Sequence, residues 1–303
     1  MSKSRDLGTE ICAHHDFTWV KAILEKEAVK MPMMAKARES FSGDAVTIAY
    51  NKQIARNYDN ERLIEPRRLD EIVKIAVDHT QRNRSFGSGD VKILDLGCGT
   101  GFFTIPLAQR LPFLFTGADR SEEMLEIARS KAAGQGIIWD VQEATRLSYE
   151  SQSFDLIFMS NFLHHFMNPL DVIEQCVRVL KPGGLLINHY GALEDIIKDP
   201  DHKFFQQAID LDVRRTPARI QMEYLLKSAG MADITSRKGT YRLCHSAQER
   251  VKMVENKYIS VFHMMDEMTF QRGLKELKRY AESSRFDPWL REIVLTTTCG
   301  IKA

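Results

Sequence analysis

No run of the chain approaches the roughly 18 consecutive apolar residues of a membrane span. The opening segment, Met1–Glu10, is polar and charged and lacks the apolar centre of a secretory signal. Cysteine is sparse. Cys12, Cys98, Cys176, Cys244 and Cys299 are scattered, odd in number and form no CxxC pair, so neither a disulfide framework nor a zinc site is signalled. A reducing, cytoplasmic setting without a metal centre is expected. An excess of either charge is also missing. Against 42 Lys plus Arg stand 41 Asp plus Glu, a formal net charge of +1. That balance argues against a broad electrostatic grip on nucleic acid or an anionic membrane, although it leaves room for a local basic patch. There is no internal repeat and no low-complexity tract. The 303 residues suit one large domain or two modest ones.

What is present falls into three zones. Residues 1–90 are charged, helix-prone and poor in strand signals. Ala22–Ser40 lacks glycine, and Pro66–His79 carries Leu69, Ile72, Val73 and Ile75–Ala76 at helical spacing behind a first-turn proline. His14-His15-Asp16 has no second ligand group at usable spacing and reads as a solvated terminus. Arg82–Asp90 is a polar loop. In the second zone, short apolar runs alternate with helical segments. Strands are expected at Val91–Leu96, Phe113–Gly117, Ile137–Val141, Phe154–Met159 and Gly184–His189. Helices are expected from near Gly101, at Ser121–Ala133 and at Leu170–Leu180. This alternation predicts βαβ units and a parallel sheet covered on both faces. The third zone is again largely helical, with a helix at Pro217–Ser228 and strand candidates at Ala232–Ser236 and Glu292–Cys299. More than 50 residues separate those two strands.

The most informative segment is Val91-Lys-Ile-Leu-Asp-Leu-Gly-Cys-Gly-Thr-Gly-Phe-Phe-Thr104. A strand runs into Gly97, Gly99 and Gly101, where bare backbone can turn sharply and approach a ligand. A dinucleotide site wants G-x-G-x-x-G. Here the third glycine comes one residue early, Phe102 takes its place, and Asp95 would face a phosphate unfavourably. Asp95 suits a cationic amino group instead.

DLGCGTG resembles the first motif of class I S-adenosylmethionine-dependent methyltransferases, and the likeness continues in order through about 100 residues. The resemblance implies that Asp119, with Arg120 and Met124 after it, lies on the ribose side of S-adenosylmethionine. It implies that Glu143-Ala144 reads the adenine. Phe154-Asp155 opens the fourth strand, Ser160-Asn161 ends it beside the methionine moiety, and Leu180–Gly184 (LKPGG) leads into the fifth. Tyr58 in Ala55-Arg-Asn-Tyr-Asp59 matches an element that folds over the methionine part. The implied fold is α/β: a doubly wound, seven-stranded, mostly parallel Rossmann-like sheet with an antiparallel last strand. Helical N- and C-terminal cap elements are added to it. The expected boundaries are 1–85 for an N-terminal extension, 86–192 for the cofactor-binding core, and 193–303 for cap insertions and the final strands.

The implied reaction is SN2 transfer of the sulfonium methyl to an O, N or C nucleophile of a small acceptor, apolar or aromatic in character. His165, in Asn161–Phe166, is the first candidate base because an imidazole titrates near neutrality. His189 and Tyr190, ending the fifth strand, are further catalytic candidates. Arg67-Arg68, Arg82 with Arg84, and Arg214-Arg215 read as solvated faces, with Arg214-Arg215 also able to pair with an anionic acceptor. The Met- and aromatic-rich stretch Tyr258–Phe270 reads as core, as a homodimer face, or as an apolar acceptor pocket. Three other readings stay open: an RNA methyltransferase, a cyclase or lyase using the same cofactor, and a non-catalytic binding module.

Overall fold

The structure is a computed structural model and describes residues 58–59, 64–82, 90–134, 136–283 and 289–303. The helix expected at Ala22–Ser40, the His14-His15-Asp16 group and Arg84 lie outside the described residues.

Seven strands form one sheet in the order β3-β2-β1-β4-β5-β7-β6. They are β1 (Lys92–Leu96), β2 (Leu114–Asp119), β3 (Ile138–Val141), β4 (Phe154–Ser160), β5 (Leu180–Tyr190), β6 (Met231–His245) and β7 (Trp289–Lys302). The first five pair in parallel, whereas β7 runs antiparallel to both β5 and β6. The expected sheet is therefore the observed one. Central strands are apolar on both faces because helices cover both. Leu94, Leu96, Ile157, Met159 and Leu186 belong to one core cluster, and Ile93, Phe115, Leu156, Phe158 and Ile187 to the other.

Among the described residues, five helices flank this core: α1 (Pro66–Arg82), α2 (Thr104–Ala108), α3 (Glu122–Ser130), α4 (Pro169–Val179) and, after the single-turn α5 (Leu193–Ile196) and α6 (Gln206–Arg215), α7 (Arg219–Ser228). Helix α3 begins where the sequence favours it. Ser121 caps it by accepting from the Met124 N–H at 3.3 Å, and Glu122 and Glu123 occupy the positive end of its dipole.

The last two strands are much longer than their sequence signals. Strand β6 spans 15 residues, and its register with β7 continues to His245↔Trp289, well past the last β5 partner at Tyr190↔Thr296. The pair thus becomes a two-stranded ribbon overhanging the carboxyl edge of the sheet. Helix α1 braces it, since the Tyr241 hydroxyl donates to Glu71 at 2.8 Å.

Between β6 and β7 come α8 (Ala247–Glu255), α9 (Ser260–Met264) and α10 (Glu267–Ser283). With α6 they enclose a separate apolar cluster containing Phe205, Val254, Phe262, Phe270 and Leu277. The Met- and aromatic-rich stretch is mainly this cap core, and of its Met and aromatic residues Met268 is the one that stands largely exposed. A buried polar network ties the cap together. Arg250 donates to Asp201 and, at 2.8 Å, to the Tyr258 hydroxyl. Arg215, expected on a solvated face, is half-buried with its side chain only 5% exposed, pairing with Asp212 at 2.9 Å and donating to Ser260 at 2.9 Å.

Candidate active site

Strand β1 delivers its chain end into a tight crossing. The N–H groups of Gly97 and Cys98 both donate to the Ala118 carbonyl at the end of β2, at 2.8 and 3.1 Å. Gly97, Gly99 and Gly101 all have φ between +54° and +76°, the left-handed region that glycine enters without steric penalty. A Cβ at Gly97 would overlap the Phe162 ring, and one at Gly101 would come within 2.7 Å of Trp139. A Cβ at Gly99 would meet nothing within 4 Å. The loop is packed from below at two glycines and open at the middle one, which is how bare backbone is offered to a ligand.

Asp119 holds that loop in place. Its carboxylate accepts from the Gly99 N–H and the Ser121 N–H, each at 2.9 Å. Burial pushes its pKa up, while the Ser121 and Gly99 N–H bonds oppose the rise. The Arg120 N–H also bonds to it, and the remaining acceptor capacity suits a hydroxyl. Arg120 beside it is exposed, Met124 is buried under the turn, and after β3 Glu143 is exposed next to buried Ala144.

Asp95 lies at the end of β1, 2% exposed, accepting from the Thr104 hydroxyl at 2.6 Å. Burial pushes its carboxyl up to about 7; the Thr104 bond opposes this and the Asp119 charge adds to it. The native state therefore holds this proton more firmly than the unfolded chain. Its contribution to stability is full below the ordinary carboxyl range and is lost as pH rises toward about 7. An ammonium group placed beside Asp95 would favour the ionised form. Binding of an ammonium-bearing ligand at pH 7 is thus expected to release a fraction of a proton, and Asp95→Asn should abolish the release. Calorimetry in two buffers of different ionisation enthalpy measures it.

A cleft of about 170 Å³ opens above this loop. Its floor is Asp95, Gly97, Cys98, Ser160 and Asn161; its roof comes from the ribbon and the cap, including Leu243, His245, Met253 and Ile259. Asn161 is anchored with φ +47°. It donates its N–H to the His189 carbonyl at 2.9 Å and accepts from the Gly191 N–H at 3.1 Å. Tyr58 lines the cleft against Phe102, with ring centroids 6.4 Å apart. Its neighbour Asp59 accepts from the Thr100 hydroxyl and from Lys131, fastening the segment to the glycine loop.

Arg68 is the residue that sequence reasoning misplaced. Arg67 is exposed and pairs with Glu65, as expected of a solvated face. Arg68, in contrast, is 6% exposed and lines the cleft. Its Nε donates to Nε2 of His189 at 3.3 Å, and its guanidinium lies 4.9 Å from the Phe103 ring centre. No carboxylate pairs with it among the described residues, and burial pushes its pKa down to about 10. A buried cation without a partner is costly unless an anion arrives. Helical phase was the available signal: Arg68 lies four residues before the buried Ile72.

The three catalytic candidates are not brought together. None of them lines the cleft. His165 stacks beside His164 with ring centroids 4.1 Å apart; burial, with the charges of Arg215 and Arg120, pushes its imidazole down to about 3. His189 is fully buried beneath Arg68, with Nδ1 bonded to the Thr297 hydroxyl at 2.9 Å, and burial and the Arg68 charge bring it also to about 3. Tyr190 belongs to the opposite core cluster, 3.4 Å from the Thr298 hydroxyl, and burial raises its phenol.

The cleft therefore offers a carboxylate for an ammonium, a guanidinium with no carboxylate partner among the described residues, and a bare loop with a carboxylate behind it for a ribose. These residues fit the amino-acid and nucleoside halves of S-adenosylmethionine. Comparisons agree. A family described as a methyltransferase domain matches residues 94–188. A ubiquinone biosynthesis O-methyltransferase of Caulobacter sp. is 30% identical over 172 residues, covering 52% of this chain and 67% of that one. The corresponding Actinobacillus pleuropneumoniae protein is 34% identical over 131 residues, covering 41% and 52%. Overall, the chain spans about half the length of the curated relatives it matches. The solved structure of Haemonchus contortus phosphoethanolamine N-methyltransferase 2 with S-adenosyl-L-methionine shares the fold at a TM-score of 0.51. It is 18% identical, and the match covers 84% of this chain and 57% of that one. With the loop, the strand order and the Caulobacter relative in agreement, the chain belongs to the class I S-adenosylmethionine-dependent methyltransferases.

Proposed function

We propose that this chain transfers a methyl group from S-adenosylmethionine to a nucleophilic atom of a small organic acceptor held between the sheet edge and the helical cap. The observation that carries the reading is the single cleft joining the glycine loop to a mainly apolar roof. When bound, S-adenosylmethionine supplies an electrophilic sulfonium methyl. The protein's own part is to hold, orient and exclude water.

The holding roles follow from chemistry. Asp119 accepts from the ribose hydroxyls over the open Gly99, and Glu143 with Ala144 reads the adenine edge. Asp95 faces the amino group, Arg68 the carboxylate, and Ser160 and Asn161 border the methionine chain with Tyr58 closing above. A proton acceptor with a pKa near 3 is a weak base. We therefore assign His165 and His189 to packing and to positioning Arg68, and Tyr190 to the core.

The roof residues Leu243, Met253, Ile259, Ile293 and Leu295 suit an apolar or aromatic acceptor. Arg68 is the one basic side chain among the lining residues apart from histidine, so a phosphate backbone would find little there. This favours a small molecule over RNA.

Product analysis tests the reading. Methyl transfer releases S-adenosylhomocysteine, and methylthioadenosine instead would overturn it. Asp119→Ala tests the binding mode. Each lost hydrogen bond to a charged acceptor costs roughly 1.5–3 kcal/mol, so cofactor affinity should fall by about tenfold or more in calorimetry. Unchanged affinity would contradict the assignment.

A further inference from the structure

His245 is the last residue of β6, at the tip of the ribbon that overhangs the sheet. It lines the cleft from the roof and is 8% exposed. Its Nε2 is buried with no hydrogen-bond partner among the described residues. A buried polar nitrogen left unsatisfied is costly, so such groups are rare unless something pairs with them. The other polar groups of the cleft have work already. Asp95 takes the Thr104 hydroxyl, and the Tyr258 hydroxyl is held by Arg250 and Asp201. Arg68 leans on His189 and belongs to the cofactor's carboxylate under the reading above.

We infer that His245 is the acceptor-side catalytic residue, its Nε2 receiving the hydroxyl proton of a phenol-like acceptor seated against the apolar roof. This deepens the proposed methyl transfer and rests on it. The acceptor class follows from the surroundings. Leu243, Met253, Ile293 and Leu295 offer an apolar wall fit for a ring, and His245 is the polar point in that wall. In the step, the acceptor oxygen bonds to the methyl carbon, the carbon–sulfur pair stays on sulfur, and the hydroxyl proton passes to Nε2. The resulting imidazolium has a carboxylate within electrostatic reach, Glu249 on the first turn of α8, before it returns the proton to solvent.

The test uses the full chain, His245→Phe, which keeps a ring without nitrogens, and His245→Gln, which keeps a hydrogen-bonding group. Calorimetry with S-adenosylmethionine comes first, and all three proteins should bind alike. Catechol is then titrated in the presence of S-adenosylhomocysteine. The wild type should bind it about tenfold more tightly than His245→Phe, with His245→Gln between them. In nitrogen-15 imidazole spectra, the resonance missing from both variants should move on adding catechol and stay still on adding benzene. Equal catechol binding by the three proteins, no catechol binding by the wild type, or an unmoved imidazole resonance would overturn the role of His245 alone. A wild type that fails to bind S-adenosylmethionine would overturn the methyl-transfer reading beneath it.

Discussion

Asp201→Leu is expected to destabilise the helical cap by about 3–5 kcal/mol, the range found when one partner of a buried ion pair is removed. Arg250 is 1% exposed, and its Nη1 already lacks a partner. Without the Asp201 carboxylate, the guanidinium keeps only the hydroxyl and ring face of Tyr258, 4.7 Å from the ring centre. Among the described residues no other carboxylate pairs with it, and Asp212 is committed to Arg215 and faces His202 at 3.4 Å. Arg250→Met alone should be similarly costly, since it strands the carboxylate. The double variant, Asp201→Leu with Arg250→Met, should recover most of the loss, because two apolar side chains of similar volume need no partners. Urea denaturation followed through the cap aromatics measures all three. A near-additive double variant would mean that the pair is not energetically coupled.

Gly97→Ala is the second change of large effect. An alanine at φ +76° costs about 1–2 kcal/mol, and its methyl group must also displace the Phe162 ring, an overpacking cost of typically about 1–3 kcal/mol. Roughly 2–5 kcal/mol of stability should be lost, with cofactor affinity falling at least about tenfold as the loop is pushed out of line. Gly99→Ala separates the two causes. Its methyl group meets no protein atom, so its stability loss should stay near the backbone cost of about 1–2 kcal/mol. That methyl group projects into the space assigned to the cofactor, so affinity should fall as far as in Gly97→Ala. Thermal melts and calorimetry with S-adenosylmethionine read both quantities. If Gly99→Ala binds normally, the cofactor does not lie over the middle of the loop.

The parts of this molecule legible in sequence are those whose chemistry is local. Strand β1, the glycine loop and α2 follow one another within 17 residues, from Lys92 to Ala108, so their pattern survives as a motif. Buried parallel strands read as plain apolar runs for the same reason. The β6–β7 ribbon was underestimated because its outer half is wet: Arg237, Lys238, Gly239 and Arg242 interrupt any apolar alternation. Its length is set by pairing with another strand some fifty residues away and by Tyr241 reaching α1. The cleft's decisive polar groups were hidden by distance. Arg68 meets His189 across 121 residues, and only its helical phase with Ile72 hints at burial, while no neighbour in sequence betrays His245. Arg67 and Arg68 differ only in helical phase, yet one is solvated and the other is a buried charge. His165 had the right residue type after the right strand. Its burial and the nearby charges of Arg215 and Arg120, which no motif encodes, moved its basicity well below neutrality.

The antiparallel seventh strand also imposes an order of events during synthesis. The edge of β5 from Leu185 to Tyr190 is paired by Thr296–Ile301, so His189 waits 108 residues for Thr297. While the ribosome makes the cap, a nearly complete parallel sheet stands with one apolar edge unpaired, the state in which nascent chains most readily join each other. The cap's own aromatic core can collapse during that interval because its contacts are mostly within α6 and α8–α10. Closure of the sheet is then a late, long-range step, and a newly made chain becomes safe from self-association only when its final strand is inserted between β5 and β6.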